Sequence, residues 1–188
     1  MKIVCLIVGL MTLLCLSTNV LKERASTRVI AMNEMSSIDN IPMFEQRDCT
    51  MQWKGTDQYG KVHTIGMGGK QAYVLLFWNS SCPDCLTSLK MYNKIYDALG
   101  NDSKIIFYGI ISPASHSKDQ IIHYLQEEAI TMPVLFDLDQ DLIQKAKLTL
   151  YPTTYLLDGQ GKCIGYREGS LSKMELNWIL TEVEKEKN

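Results

Sequence analysis

The strongest constraint on the fold is the segment Ala72–Trp78, whose sequence AYVLLFW is apolar along its whole length. A strand with one face in water alternates apolar and polar residues, whereas a strand covered on both faces is continuously apolar. The segment that follows has apolar residues at roughly helical spacing, namely Leu86, Leu89, Ile95 and Leu99. The sequence therefore predicts a buried strand, a tight turn and a helix that ends before Gly100.

The alternation of strand and helix patterns continues along the chain. KIIFYGII (104–111) and MPVLFD (132–137) are apolar runs that predict two more core strands. Between them a helix is expected from about residue 118 to 129, with Ser117 as its N-cap, and DQDLIQKAKL (139–148) fits a short helix. Parallel strands joined by helices in this order are typical of an α/β sheet that helices cover on both faces.

Two hairpins and a final helix complete the predicted domain. TTYLLD (153–158) and KCIGYRE (162–168) flank the turn GQG, which indicates an antiparallel hairpin. Near the start of the domain, CTMQW (49–53) and KVHTI (61–65) are strand candidates around the turn-rich GTDQYG. The last helix is expected in SKMELNWILTEVEKEK (172–187), which opens with a capping box.

The first 42 residues differ from the rest of the chain. A basic residue precedes an apolar run from Ile3 to Leu21, which is typical of an export signal. The run has no convincing small-x-small cleavage site and nearly reaches the roughly 20 residues that cross a bilayer. Residues 1–21 are therefore either a signal peptide or a membrane anchor. Residues 22–42 show no sustained periodicity and predict a tether, which leaves residues 43–188 as the globular domain.

Size and charge limit the classes of function. With 188 residues and 46% hydrophobic content, the chain is long enough for one domain of ordinary size. Its 19 Lys and Arg residues against 21 Asp and Glu residues give a net charge of −2, without the basic stripe that a phosphate backbone selects. We therefore expect no nucleic-acid partner, and we expect the protein to be a monomer.

The motif CPDC places Cys82 and Cys85 directly after the predicted buried strand. Two cysteines at this spacing can be a redox pair, half of a metal site or a structural staple. An exported protein meets an oxidising environment in which disulfides form and persist, and this favours thiol chemistry. A structural zinc site needs two further ligands, and the sequence has neither a second CxxC nor an HxxxH pattern.

Four longer segments carry a family resemblance that is much more specific than CxxC alone. They are WKGTDQYGKVHTI, LLFWNSSCPDC, MPVLFDLDQDLIQKAKL and YPTTYLLDGQGKCIGYREG. Through them, the chain from about residue 43 to 185 resembles the TlpA/ResA group of thioredoxin-fold thiol–disulfide oxidoreductases. The resemblance implies a thioredoxin-like fold, with a central mixed sheet, helices on both faces and an N-terminal β-hairpin extension. We expect no cofactor and no bound metal.

The resemblance also implies roles for four residues. Cys82 would be the nucleophile of a disulfide exchange and Cys85 the resolving thiol. In a CxxC that opens a helix, unpaired main-chain N–H groups and the helix dipole stabilise a thiolate at the first cysteine. Pro152 matches the family's cis proline, which faces the redox pair and offers no N–H to compete for the sulfur. Tyr151 would leave its backbone free to pair with an extended substrate and is expected to influence substrate choice, although a ring that only packs in the domain is an equally good interpretation.

Three further residues are expected to support the site. Trp78 stands where the family has an aromatic residue beside the redox pair, although a core tryptophan at a strand end is an equally good interpretation. Pro83 and Asp84 form the dipeptide between the cysteines, and such a dipeptide affects the reduction potential. A carboxylate is favourable at a helix N-terminus, but its charge opposes a thiolate at Cys82.

Two departures from the family concern proton transfer. Relatives commonly have an acid in the strand before the motif or on the helix just beyond it, and these positions hold Leu76 and Ser88 here. Protons would then reach Cys85 through water, Asp84 or another group. Ser80 and Ser81 also replace a bulky residue, which predicts a more polar surface around the motif.

The expected function is the reduction of disulfides in exported proteins, in the periplasm or on the outer face of a bacterial cytoplasmic membrane. The resemblance implies a membrane-embedded thiol donor. Oxidase or isomerase activity on the same pair is the main alternative, and the reduction potential distinguishes them. A copper chaperone using His116 and His123 is less favoured, because isolated histidines on a loop and a helix are far more often polar surface residues. A thiol peroxidase is also less favoured, because the residues ahead of Cys82 lack the Pro and Thr of peroxiredoxins.

Cys49 and Cys163 make an even pair outside the motif. In an exported protein a disulfide between them is one interpretation, and it requires Cα atoms within about 7 Å of each other. The other interpretation is that each packs in its strand as a small apolar residue. The sequence alone leaves both interpretations open.

Overall fold

A computed structural model of the chain describes residues 44–45, 47–68, 72–99, 104–112 and 116–185. The predicted signal or anchor segment and the predicted tether lie outside the described residues. No helix in the described part of the chain is both long and apolar enough to cross a membrane. The described elements, in chain order, are β1 (Trp53–Thr56), β2 (Val62–Ile65), β3 (Ala72–Trp78), α1 (Pro83–Leu99), β4 (Ile105–Ile111), α2 (Lys118–Glu127), β5 (Val134–Phe136), α3 (Asp141–Ala146), β6 (Thr153–Leu157), β7 (Cys163–Glu168) and α4 (Lys173–Lys185).

Five strands form one mixed sheet in the order β5-β4-β3-β6-β7. The central strand β3 runs parallel to β4 and antiparallel to β6, so that Phe77 lies between Ile110 and Thr153. β5 is parallel to β4, and β7 is antiparallel to β6. Every residue of β3 is buried, as its continuous apolar sequence predicts. This is the α/β arrangement expected from the sequence.

The sheet separates two hydrophobic cores, because successive side chains of a strand point to opposite faces. The first core contains alternate residues of β3 together with buried residues of α1, α2 and α4, among them Leu76, Leu89 and Ile121. The second core contains the intervening residues of β3 and buried residues of α3, among them Leu75 and Leu142. Helices therefore cover both faces of the sheet.

The same kind of turn closes both hairpins, with the sequence DQYGK at residues 57–61 and DGQGK at residues 158–162. In each turn the aspartate Oδ1 atom accepts hydrogen bonds from the main-chain N–H groups two and four residues later, at 2.8 and 2.9 Å. The glycine in the fourth place has a φ of 81° in the first turn and 82° in the second, which glycine adopts readily.

The first hairpin differs from its predicted boundaries. Its first strand is Trp53–Thr56 rather than residues 49–53, because the turn that starts at Asp57 brings Thr56 opposite Val62. Residues 49–51 instead pair antiparallel with residues 161–163, through hydrogen bonds on either side of the bridge between Thr50 and Lys162. The sequence pattern identified extended backbone here but assigned it to the wrong partner.

Hydrogen bonds from the N-terminal part of the domain cover both edges of the five-stranded sheet. At one edge, the side chain of Gln58 accepts a hydrogen bond from Val134 N–H at 2.7 Å and donates one to the Met132 carbonyl at 3.1 Å. At the other edge, Glu45 and Tyr166 exchange two main-chain hydrogen bonds at 2.9 and 3.0 Å. A covered edge is protected from pairing with another chain.

Both predicted helix caps are present. Ser117 caps α2 and forms a capping box with Gln120, as the two residues exchange hydrogen bonds at 2.9 and 3.3 Å. Ser172 and Glu175 exchange the equivalent bonds at the start of α4, at 2.7 and 3.2 Å. Helix α2 ends at Glu127, slightly earlier than predicted, and Ala129 beyond it has a left-handed φ of 51°.

Candidate active site

Cys82 lies where the chain turns from β3, which ends at Trp78, into α1, which begins at Pro83. The Cys82 carbonyl accepts a hydrogen bond from the Leu86 N–H at 3.1 Å, so Cys82 stands at the start of the helix. The N–H of Cys85 donates a hydrogen bond to the Cys82 Sγ atom at 3.3 Å. A main-chain N–H aimed at a sulfur, at the positive end of a helix, stabilises negative charge on that sulfur.

Cys85 lies one turn into α1 and is fully buried in the first core. Burial raises the pKa of Cys85 to about 12, and contact with the Cys82 thiol and the charge of Asp84 add to the increase. The main chain of Asn79 acts in the opposite direction on this pKa. Cys82, by contrast, is half-buried. The pair thus has one accessible and one protected thiol, as a nucleophile and a resolving thiol require.

Asn79 shapes the loop that presents Cys82, and it was not among the site residues predicted from the sequence. Its side-chain Oδ1 accepts a hydrogen bond from Ser81 N–H at 2.8 Å, and its carbonyl accepts one from Cys82 N–H at 3.2 Å. This is a turn in which the asparagine side chain replaces a backbone acceptor. An asparagine between a buried strand and a CxxC is the signal that could have revealed it.

Trp78 is the last residue of β3 and is 1% exposed. Its Nε1 atom has no hydrogen-bond partner among the described residues. A side chain at Gly109 would place its Cβ atom 3.3 Å from that nitrogen, so glycine at 109 makes room for the indole. Burial favours the interpretation that Trp78 is a core residue beneath the motif, and its predicted role beside the redox pair stays a prediction.

The peptide bond between Tyr151 and Pro152 is cis, as predicted. Pro152 is buried, whereas Tyr151 is half-buried and contacts both hydrophobic cores. Burial raises the pKa of Tyr151, and the charges of Asp137 and Cys85 raise it further. Tyr151 is therefore close enough to Cys85 for the charge of the buried thiol to affect the pKa of the Tyr151 hydroxyl. The predicted position of Pro152 facing the redox pair stays a prediction.

The remaining residues that the sequence analysis singled out near the motif differ in their exposure to solvent. Pro83 and Asp84 are exposed in the first turn of α1. Leu76 and Ser88, which stand at the positions of the family's acids, are both buried. Ser88 Oγ donates a hydrogen bond to Ser170 Oγ at 3.2 Å. The charge of the Asp84 carboxylate contributes to the raised pKa of Cys85.

A buried pair of hydroxyl groups joins the redox helix to β6. The Tyr92 hydroxyl and Thr154 Oγ1 are 2.5 Å apart, and both residues are almost completely buried. Tyr92 lies on the same face of α1 as Cys85 and Leu89. The pair therefore fixes the helix that carries Cys85 to the strand that follows Pro152. Tyr92 at this helical spacing from Cys85 is a signal that the sequence analysis did not use.

The histidines considered for copper have other partners. His116 Nδ1 lies 2.8 Å from Ser80 Oγ, and His123 Nδ1 lies 3.3 Å from Glu127 Oε2 on the exposed side of α2. Among the described residues, no three His, Cys, Asp or Glu side chains gather in a way that could hold a metal ion. The geometry of His116 and His123 gives the copper interpretation no support.

Comparison with known proteins decides the family. A family model described as the AhpC/TSA family matches residues 39–164, which is more than half of the chain. The chain belongs to the AhpC/TSA family. The sporulation thiol-disulfide oxidoreductase A of Bacillus subtilis is similar to this AhpC/TSA family member and is 26% identical to it over 108 residues. The matched region is 56% of this chain and 64% of the relative, so the chain spans less than two thirds of the relative's length.

Solved structures confirm the thioredoxin-like fold of this AhpC/TSA family member. StoA of Bacillus subtilis has a TM-score of 0.62 at 21% identity, over 71% of this chain and 98% of StoA. An exposed lipoprotein thioredoxin of Streptococcus pneumoniae has a TM-score of 0.61 at 24% identity, over 70% and 99% of the two chains. A thiol:disulfide interchange protein of Chlorobium tepidum has a TM-score of 0.62 at 20% identity, over 74% and 98%.

Proposed function

We propose that the protein is an extracytoplasmic thiol–disulfide oxidoreductase that reduces disulfides of exported proteins through Cys82 and Cys85. The observation that carries the proposal is the asymmetry of the two thiols. Cys82 is accessible and receives the N–H of Cys85 at 3.3 Å, whereas Cys85 is buried and its pKa is raised to about 12 by that burial. The related sporulation thiol-disulfide oxidoreductase supports the same class of reaction.

The first step is an attack by the Cys82 thiolate on one sulfur of a substrate disulfide. The substrate S–S bond breaks, a Cys82–substrate mixed disulfide forms, and the other substrate sulfur leaves as a thiolate that takes a proton from water. The N–H of Cys85 and the start of α1 stabilise the attacking thiolate. Because Cys85 is buried, it does not compete for the substrate at this step.

In the second step Cys85 loses its proton and attacks the Cys82 sulfur. The mixed disulfide breaks, the Cys82–Cys85 disulfide forms, and the second substrate sulfur leaves as a thiol. Burial holds the pKa of Cys85 high, but the contribution from the Cys82 thiol disappears once Cys82 is bonded to substrate. Cys85 therefore becomes easier to ionise when its attack is needed. The substrate gains two electrons and two protons, and the dithiol loses them.

The segment around Tyr151 is suited to hold the substrate beside the sulfurs. Tyr151 is half-buried and within electrostatic reach of Cys85, and the residue that follows it is a proline without an N–H. An extended substrate segment can pair with the main chain of Tyr151. We propose that Tyr151 contributes to substrate choice. Pro83 and Asp84 are exposed in the first turn of α1.

Location and electron supply belong to the same proposal. The apolar segment 1–21 favours export, and one structural neighbour is named an exposed lipoprotein thioredoxin. A membrane-embedded thiol would re-reduce Cys82–Cys85 after each turnover. Expression in a bacterium followed by fractionation tests the location. The full chain should be found outside the cytoplasm, and a form that stays cytoplasmic would contradict the proposal.

Trapping experiments test the roles of the two thiols. Cys82→Ser should abolish reduction of a disulfide substrate, whereas Cys85→Ser should accumulate a mixed disulfide through Cys82, visible as a mass increase that reductant reverses. Ser81→Ala, next to the motif, is the matched control and should react like the unmodified chain. Accumulation of the adduct in Cys82→Ser instead of Cys85→Ser would contradict the assigned roles.

The reduction potential separates reductase from oxidase or isomerase. Equilibration of Cys82–Cys85 with glutathione buffers of graded composition gives the potential, for which about 30 mV corresponds to a tenfold change in the equilibrium constant. A value near that of thioredoxin, about −270 mV, would support the reductase. A value near about −120 mV would identify an oxidase, and would leave the roles of the two thiols unchanged.

A further inference from the structure

Cys49 and Cys163 are direct neighbours across a short antiparallel ladder at the edge of the sheet. The Cys163 N–H donates a hydrogen bond to the Cys49 carbonyl at 2.9 Å, and the Met51 N–H donates one to the Gly161 carbonyl at 2.7 Å. Thr50 and Lys162 form the bridge between these bonds. In this register Cys49 and Cys163 occupy opposing positions, although they are far apart in sequence.

Opposing positions in an antiparallel pair suit a disulfide. Opposed residues that share a main-chain hydrogen bond have Cα atoms about 5.5 Å apart, and their side chains lie on the same face of the sheet. Native disulfides have Cα separations of roughly 4.4–6.8 Å. Both cysteines are free thiols in the structure, and each contributes to the shifted pKa of the other, as neighbouring thiols do.

We propose that Cys49 and Cys163 form a disulfide that fastens residues 47–51 to the edge strand β7. The half-buried Cys49 reacts first with an external disulfide, such as a low-molecular-weight disulfide, and forms a mixed disulfide with release of one thiol. The buried Cys163 then loses its proton to solvent and attacks the Cys49 sulfur, which releases the second thiol. The protein dithiol is oxidised and the external disulfide is reduced to two thiols.

The surroundings of the pair support this order of events. Cys163 is 6% exposed, whereas Cys49 is half-buried. Burial raises the pKa of both thiols, and the guanidinium of Arg47 acts in the opposite direction on both. Arg47 is held in place by the Ala146 carbonyl at 2.8 Å and by the Tyr155 hydroxyl at 2.5 Å. The Arg47 cation therefore offsets part of the effect of burial on the pKa of both thiols.

This pair is separate from the candidate active site. Cys163 belongs to the second hydrophobic core and Cys49 packs against it, whereas Cys85 belongs to the first core and Cys82 packs against that one. The central sheet lies between the two cores. Direct exchange between Cys49–Cys163 and Cys82–Cys85 is therefore blocked within one molecule, so the inference does not rest on the proposed function.

Cys49 follows the predicted tether, residues 22–42, closely in sequence, so the disulfide would constrain the first residues of the domain. Residues 44–45 and 47–51 cover the edge of β7 through main-chain bonds at Glu45, Cys49 and Met51. A bond from Cys49 to Cys163 closes a loop of roughly 115 residues, and long loops gain most from such a closure. Reduction of the bond would leave the covering segment held by these main-chain hydrogen bonds alone, as in the structure, where both cysteines are free thiols.

Peptide mapping of the full chain tests the bond. The chain carrying Cys82→Ser and Cys85→Ser is incubated with glutathione disulfide, alkylated and digested with trypsin without reductant. The expected result is that peptides 48–54 and 163–167 are joined, with a mass two hydrogens below their sum, and separate after reduction. Recovery of both peptides as alkylated thiols, or of Cys49 joined to a second chain, would overturn the proposal.

Thermal unfolding of the same chain tests the locking effect. Reduction should lower the melting temperature by roughly 5–15 °C, because the closed loop loses its constraint. Chains that also carry Cys49→Ala or Cys163→Ala should show no response to reductant, whatever their starting stability. A joined pair whose reduction leaves the melting temperature unchanged would overturn the claim that the bond fastens the segment.

Discussion

The main-chain N–H of Cys85 lies 3.3 Å from the Cys82 sulfur and donates a hydrogen bond to it. Cys85 thus influences both thiols of the pair. Its main-chain N–H donates a hydrogen bond to the Cys82 sulfur, and its own thiol is buried. The spacing of two residues between the cysteines is what allows this contact, since the second cysteine must lie one helical turn beyond the first. The asymmetry of the two thiols follows from this geometry.

The resolving step is expected to accelerate as the pH rises. Burial raises the pKa of Cys85, so only a small fraction is thiolate near neutral pH, and that fraction grows up to tenfold per pH unit below the pKa. Single-turnover release of thionitrobenzoate from a Cys82 mixed disulfide measures the step, with Cys85→Ser as the control that releases nothing. A rate constant that stays flat between about pH 6 and pH 9 would mean that a nearby base removes the proton.

Asn79→Ala is expected to loosen the loop that presents Cys82. The substitution removes the acceptor of the Ser81 N–H, which should lower the free energy of unfolding by about 1 kcal/mol and slow the attack of Cys82 severalfold. Ser81→Ala is the matched control, because Ser81 contributes only its main-chain N–H to this bond. Denaturant unfolding and substrate reduction measure the two effects. Equal losses in both variants would show that the Asn79 side chain has no special role.

The buried bond between Tyr92 and Thr154 is expected to stabilise the position of α1. Tyr92→Phe leaves the Thr154 hydroxyl buried without this partner, which should cost about 1–3 kcal/mol of unfolding free energy. A double-mutant cycle with Thr154→Val should give a coupling energy of about 1 kcal/mol in urea denaturation. Additive effects of the two substitutions would show that the hydroxyl groups do not interact.

The two similar turns allow a matched comparison. Asp57 and Asp158 make the same two turn bonds, but Asp57 is 2% exposed and its Oδ2 atom also lies 2.7 Å from His63 Nε2. We therefore expect Asp57→Ala to lower the free energy of unfolding by roughly 2–4 kcal/mol and Asp158→Ala by about 1 kcal/mol. Equal losses in chemical denaturation would mean that the His63 contact and the burial of Asp57 contribute nothing.

Local chemistry explains why much of the fold could be predicted. The continuous apolar run of β3, the N-cap residues Ser117 and Ser172, and the aspartate and glycine of each hairpin turn all act within a few residues of chain. Such patterns can be interpreted without knowledge of distant contacts. The redox motif belongs to the same class, because a cysteine at a strand-to-helix junction is a local feature.

Long-range contacts explain what was missed or misplaced. Residues 49–53 were predicted to belong to the first hairpin, but residues 49–51 pair with residues 161–163, and only the three-dimensional arrangement of β7 shows this. The hydroxyl pair of Tyr92 and Thr154 likewise joins elements 62 residues apart. The sequence around Tyr92 and around Thr154 contains no local pattern that identifies the other residue as its partner.

The sequence by itself determined the order of strands and helices, the two turns and the place of Cys82 and Cys85 at the start of a helix, because each depends on short-range backbone chemistry. Only the tertiary structure decided that Cys85 is buried, that Tyr92 pairs with Thr154 and that Cys49 lies opposite Cys163. These features depend on strand register and on which side chains share a core. Both are properties of packing between segments far apart in the chain.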